Sequence, residues 1–334
     1  LKEKSKVKLR NRRSSGFLLW LAPYPRVGHM YGSEGVSMKI IDAHMHYYKK
    51  EGFDQLAQLA GHINSREGWE NICAENGIVF SVAMGNSFEV PCRFGGVVPR
   101  LIDLGGAPFC AQPYNQPQNI GYCLGVQSEA ITLENAEKTA LEFEYYLQRE
   151  PHCVGIKFYM GYENVYLYDK RHEPLFELAR AYDVPVAMHS GETANHHGRL
   201  RYAHPLTVDE AAGSHPGVRF VICHVGNPWI PDAIEVAAKN ENVFIDFSGL
   251  WEHHLTPERE AALSGFQQYI RMWLEYQGIW HKIMYGSDWP LINIPDNIRN
   301  LGKIIPEQYW EAFYYENALR VYSRIGNVLQ TTEY

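Results

Sequence analysis

The sequence predicts a single α/β domain, a (β/α)8 TIM barrel, and three observations lead there. Eight short apolar runs rich in Val, Ile and Phe alternate with longer segments of helical character, the pattern of buried parallel strands joined by crossover helices. A chain of 334 residues is long enough for one such barrel. Four of the runs end in His or Asp, at the strand ends where barrels carry their chemistry. A doubly wound open sheet would share the alternation, but the number of repeats and the placement of the histidines favour the barrel.

In order, the runs cover residues 39–46, 77–85, 120–126, 154–159, 184–190, 219–226, 243–249 and 282–288. Amphipathic stretches at 132–149, 175–182, 208–214, 231–239 and 257–276 lie between them, and 307–322 closes the series. Two connections are unusually long. Residues 86–119 are rich in Gly and Pro, and 161–172 are rich in Tyr; loops of this length after barrel strands shape or cover a site.

Composition narrows the function classes. Hydrophobic residues at 46% and charged residues at 21% exclude a disordered or collagenous chain. With 31 Lys and Arg against 38 Asp and Glu, the net charge of −7 speaks against nucleic acid as a partner. Cys73, Cys92, Cys110, Cys123, Cys153 and Cys223 are scattered without a C-x-x-C pair, which points to a reducing, cytoplasmic setting rather than a disulfide framework. The first residues differ from the body: Lys2, Lys4, Lys6, Lys8, Arg10, Arg12 and Arg13 face Glu3 alone. The apolar stretch 16–22 that follows imitates a signal peptide but has no A-x-A site, and it is too short to span a bilayer. Residues 1–37 therefore read as an extension, with Met38 at the natural start and the barrel occupying 38–334. No membrane partner is expected, and homo-oligomerisation is left open.

The polar residues at the strand ends carry the chemistry. The first run reads Ile41-Asp42-Ala43-His44-Met45-His46, with two histidines at i and i+2. Side chains alternate along a strand, so both point to one face, which suits two imidazoles on one metal. The fifth run ends in His189, the sixth in His224, and the eighth in Asp288. Five metal-capable side chains at matching ends make a metal centre the preferred reading over satisfied core histidines.

This order resembles the amidohydrolase superfamily, in the branch that includes aminocarboxymuconate-semialdehyde decarboxylase. The likeness extends from residue 39 to about residue 322 and includes the wording around His189-Ser190-Gly191, His224-Val225-Gly226-Asn227-Pro228-Trp229 and Gly286-Ser287-Asp288-Trp289-Pro290. The resemblance implies that His44, His46 and His189 hold one divalent metal, most often zinc, with Asp288 as ligand and proton-transfer group. It also places His224 beside the metal, polarising the substrate or orienting water. Three protein ligands and an open position form the arrangement of a catalytic zinc.

Lys157 on the fourth run has three readings: a carboxylated bridge between two metals, a point charge for a substrate carboxylate, or a partner for a neighbouring acid. Tyr159, Trp229 and Trp289 follow strand ends and are candidate pocket residues. Asp246 on the seventh run is assigned no role. The expected activity is metal-dependent hydrolysis of an amide, ester or lactone of a small molecule. Nonoxidative decarboxylation of an aromatic or muconate-like acid is the alternative, and a noncatalytic metal-binding barrel is a third reading.

Removing residues 1–37 is expected to shift the unfolding free energy by less than about 2 kcal/mol, because the strand ladder begins after them. Denaturant unfolding of the chain beginning at Met38 checks this.

Overall fold

The computed structural model describes residues 38–47, 51–85, 118–251 and 253–332. The extension 1–37 and most of the long connection after the second run lie outside the described residues. Eight parallel strands pair in sequence order: β1 (Ile40–Met45), β2 (Ile78–Met84), β3 (Ile120–Gly125), β4 (Cys153–Phe158), β5 (Val186–Met188), β6 (Phe220–Ile222), β7 (Val243–Asp246) and β8 (Ile283–Met284). The barrel closes where the amide of Ala43 donates to Tyr285 O at 3.0 Å, and that of His46 to Trp289 O at 2.7 Å. All eight expected runs are strands, but the last four are short. Their polar ends leave the ladder before the chemistry begins.

Outer helices form at the amphipathic stretches 132–149, 175–182, 208–214 and 231–239. The stretch 257–276 divides into two helices, 307–322 holds a short one near its end, and among the described residues four helices lie outside the expected stretches. In order, the helices are α1 (Glu51–Leu59), α2 (Arg66–Asn76), α3 (Ala136–Arg149), α4 (Glu173–Ala181), α5 (Leu206–Ser214), α6 (Ile230–Lys239), α7 (Pro257–Ala262), α8 (Ser264–Gln277), α9 (Ile294–Ile304), α10 (Asn317–Val321) and α11 (Arg324–Thr332). Local chemistry sets their limits. Ser65 caps α2 by accepting from Gly68 N, and Thr256 caps α7 by accepting from Arg259 N. Gly77 ends α2 in the left-handed conformation that a residue with a side chain adopts at a cost.

Two apolar layers result. Ile41, Phe80, Val82, Met84, Val154, Ala187, Val221 and Met284 fill the lumen, and a larger cluster lies between sheet and helices. Ala318, Val321, Tyr322, Ile325 and Val328 from α10, α11 and their junction pack on the lumen cluster. Arg219, just before β6, donates from Nε to Val321 O at 2.9 Å, and Arg324 donates to Cys153 O at 3.0 Å. The two C-terminal helices thus cap the end of the barrel where strands begin. Cys73, Cys123, Cys153 and Cys223 are buried free thiols. Among the described residues no helix is long and apolar enough to cross a membrane.

An ion-pair network ties α7 to α9. Arg299 grips both oxygens of Glu260, at 3.1 and 2.8 Å, and also contacts Asp296 at 2.6 Å, while Lys303 pairs with Glu260. The hydrogen bonds from Arg299 hold the Glu260 carboxyl down to about 2. A depressed carboxyl stabilises the fold above its unfolded value near 4.5, and that contribution is lost as pH falls toward 2. Glu260→Gln is expected to cost about 1 kcal/mol or less at pH 7, since the group is partly exposed. The gap between variant and parent should close between pH 4.5 and 2.5 in urea unfolding.

Candidate active site

β1 supplies the first two side chains. Its register with β2 slips between Asp42 and Met45, so Ala43 joins the lumen cluster while His44 next to it turns to the site. His44 Nδ1 lies 2.9 Å from Asp246 Oδ2. A carboxylate only accepts, so Nδ1 carries the proton and Nε2 keeps its lone pair. That nitrogen is buried without a hydrogen-bond partner and faces Asp288 Oδ1 at 3.5 Å. His46 Nε2 is 3.0 Å from the same oxygen.

The donor atoms of His44, His46 and Asp288 lie within 4.8 Å of one another. A buried lone pair facing a carboxylate oxygen with no proton between them is a repulsive pair, and a cation between them relieves it. Nitrogen and oxygen donors in this number suit zinc or a similar divalent ion. These residues therefore fit the expected metal.

The remaining two histidines stand beside this cluster. His189 Nε2 donates to Glu192 O at 2.8 Å, which leaves Nδ1 as the nitrogen with a free lone pair. Its ring is 4.9 Å from that of His224, which in turn is 4.8 Å from His44. Among the described residues His189 is outside the set of mutually close donors. His224 follows β6 in a left-handed conformation, φ 60°, as does Val225 at 52°, and Asp288 follows β8 at 71°. Such geometry costs a residue with a side chain on the order of 1 kcal/mol or more. Hydrogen bonds hold it in place: His224 N donates to Asp246 Oδ1 at 3.1 Å, and Asp288 N to His44 O at 2.7 Å.

Burial and charge then set the protonation states. Burial, aided by the Lys157 charge, brings His44 down to about 3, and burial also lowers His189 and His224. Burial opposes ionisation of Asp288, but the hydrogen bond from His46 and the charges of His46, His224 and His44 outweigh it and keep the carboxyl well below its usual range. Asp246 is depressed too, against its own burial, by the charge and hydrogen bond of His44. His44, His189 and His224 are thus held toward the neutral form, and Asp288 and Asp246 toward the ionised form. Asp42 is the exception. Burial pushes its carboxyl up to about 7, although Ser287 N at 2.8 Å and His44 N at 3.1 Å donate to it.

Asp246 is the residue that sequence reasoning missed. Its carboxylate holds His44, His224 N, Ser248 N at 3.2 Å and the Ser248 hydroxyl. The signal was a charged side chain in the strand Val243–Asp246, all of it buried. His224 Nδ1 lies 2.9 Å from Ser248 Oγ and 3.2 Å from Ser248 O. Since that hydroxyl donates to Asp246, both of these oxygens accept, and the neutral His224 ring presents an Nε2 lone pair.

The other candidates separate. Lys157 is buried beneath the site, its Nζ donating to Cys223 Sγ at 3.0 Å. Cys223, Asp246 and His44 form a second group of close donors, but the Lys157 ammonium already takes the sulfur. Tyr159 donates its hydroxyl to Gly85 O at 2.6 Å, and Tyr162 meets the His189 ring edge-on at 4.7 Å. Trp229 packs on His204 at 4.6 Å and is partly exposed. Trp289 is fully buried against Trp69, His62 and Tyr47, the chain turning immediately after Asp288.

Residues 127–324, more than half of the chain, match the family described as amidohydrolase. The chain belongs to this amidohydrolase family. No curated protein matches it significantly. Among solved structures it is similar to 2,6-dihydroxybenzoate decarboxylase from Rhizobium, with 14% identity over 86% of this chain and 99% of that one and a TM-score of 0.60. It is also similar to a probable 2-pyrone-4,6-dicarboxylic acid hydrolase from Acinetobacter baumannii with citric acid bound, at 16% identity, 86% and 100% coverage, and a TM-score of 0.58. A third is 5-carboxyvanillate decarboxylase from Novosphingobium aromaticivorans complexed with manganese, at 14% identity, 86% and 96% coverage, and a TM-score of 0.56. At these identities the likeness is one of fold.

In this amidohydrolase, Gly249 gives the site its room. At φ +64° a Cβ there would stand 2.8 Å from Asp288 Oδ2 and 3.0 Å from His224 Nδ1. Gly249→Ala is expected to cost about 1–2 kcal/mol of stability for the left-handed conformation. If the cluster holds a divalent metal, displacing Asp288 should weaken its binding by about 10- to 100-fold, the scale seen when groups around a metal site are disturbed. Thermal unfolding and titration with a competing chelator read the two effects separately.

Proposed function

We propose that the protein is a metal-dependent hydrolase acting on the amide, ester or lactone carbonyl of a small molecule. His44, His46 and Asp288 would hold one zinc or similar divalent ion, with His189 Nδ1 as a further ligand. One observation carries the choice of reaction. Asp288 within the cluster, held toward its ionised form, and His224 beside it, held toward its neutral form with an Nε2 lone pair, are both proton acceptors at rest. Hydrolysis begins by removing a proton from water, whereas protonating a carbanion after loss of carbon dioxide needs a donor.

When bound, the metal would supply Lewis acidity, polarising a carbonyl and acidifying water. Asp288 takes up the proton of the attacking water and returns it to the leaving group. His224 orients that water through Nε2, its ring fixed from behind by Ser248. Decarboxylation is the second reading, favoured by the two decarboxylases of similar fold, one of them bound to manganese. In that reading the buried Lys157 charge favours a carboxylated substrate.

The purified protein should carry about one equivalent of divalent metal by elemental analysis. Asp288→Asn should lower kcat by about 10² to 10⁴, the usual worth of a positioned acid-base group. Turnover of an ester, amide and lactone panel supports the proposal. Carbon dioxide release from hydroxybenzoates without any hydrolysis would replace it with decarboxylation.

A further inference from the structure

The carboxylate of Asp246 has its acceptor positions divided unequally. Oδ1 takes three donors: His224 N at 3.1 Å, Ser248 N at 3.2 Å and the Ser248 hydroxyl. Oδ2 takes the Nδ1–H of His44 at 2.9 Å, and the Cys223 thiol lies close to the same carboxylate. The Ser248 hydroxyl, with its proton committed to Oδ1, is left as an acceptor 2.9 Å from His224 Nδ1 and 3.1 Å from His44 Nδ1. One carboxylate and one hydroxyl therefore set the tautomer of two imidazoles. Asp246, Ser248 and His44 are fully buried, which leaves no bulk water to substitute for a missing partner among them.

We infer that Asp246 is a positioning residue that fixes His44 in the one neutral tautomer able to offer Nε2 to the metal, and that it anchors His224 in the same sense through Ser248. This deepens the proposed metal site and rests on it. The consequence is directional. A neutral histidine has one lone pair, and if the proton sat on Nε2 that lone pair would face Asp246 instead of the cluster. The carboxylate excludes that state, because Nδ1 without its proton would meet a negative oxygen. It also raises the basicity of the ring as a ligand, as carboxylates behind metal-bound histidines do.

The unequal division makes the test specific. In Asp246→Asn, the three donors on one side require the amide oxygen at the Oδ1 position. The amide NH2 is then forced toward His44 Nδ1. His44 must accept there and carry its proton on Nε2, the wrong nitrogen for the metal, although the side chain has the same size. His224 keeps Nδ1–H, since Ser248 still accepts from it.

Ring ¹⁵N chemical shifts of the metal-depleted protein, followed by titration with zinc ions alone, read this without any substrate. In the parent protein His44 and His224 should both show Nδ1–H. In Asp246→Asn, His44 should switch to Nε2–H while His224 does not, and zinc affinity should fall about 10- to 100-fold. A parent His44 already protonated on Nε2 overturns the inference whether or not the variant folds. So does a variant that binds zinc as tightly as the parent. Failure of the parent to bind any divalent metal would instead remove the proposed metal site, while the tautomer result would stand separately.

Discussion

The carbonyl of His44 accepts from Ser287 N at 3.0 Å and Asp288 N at 2.7 Å. This doubled acceptance joins the first strand to the last and at the same point brings an aspartate against a histidine. Neither half stands alone. Without closure, Asp288 has no reason to adopt φ 71°, and without that conformation its carboxylate does not reach His44 and His46. Gly286 admits the approach: a Cβ there would be 3.0 Å from His44 Cβ and 3.1 Å from Ser248 Cβ. Closing the barrel and assembling the site are one event, carried by a two-residue strand that is too short to be held by its ladder alone.

The charges follow from the same arrangement. Two ionised carboxylates and a lysine are buried in and beneath a lumen otherwise filled with apolar side chains. Uncompensated burial of one such charge costs several kcal/mol, so each needs partners. Asp246 has four hydrogen-bond donors. Asp288 leans on the imidazoles, and Lys157 has Cys223 with the Tyr159 ring 5.4 Å away. Positive charge between His44 and Asp288 would therefore serve the protein as well as any substrate, and metal binding at the proposed site would be coupled to fold stability at this end of the barrel.

Much of the barrel was legible because buried parallel strands and amphipathic helices leave different periods in the sequence. The eight runs and the order of His44, His46, His189, His224 and Asp288 could be read from spacing, whereas the grouping of His44 and His46 with Asp288 came from the resemblance to the amidohydrolase superfamily. What could not be read depends on register and backbone twist. Strict alternation would have put His44 in the phase of Asp42, yet the slip after Asp42 allows Ala43 and His44 both to face inward. Phase arguments on β7 gave Asp246 no role for a similar reason: its importance comes from what β1 and β6 bring to it. The placement of Trp289 beside Trp69 depends likewise on a turn of the chain after Asp288.

The seal made by α10 and α11 has a kinetic meaning. With Tyr322, Ile325 and Val328 filling the end where the strands begin, the lumen among the described residues is a cul-de-sac, and reactant and product of the proposed reaction would share the opposite face. Whatever leaves must vacate the passage before the next molecule arrives. Product and substrate would then exclude each other by sterics alone, whichever way the chemistry runs.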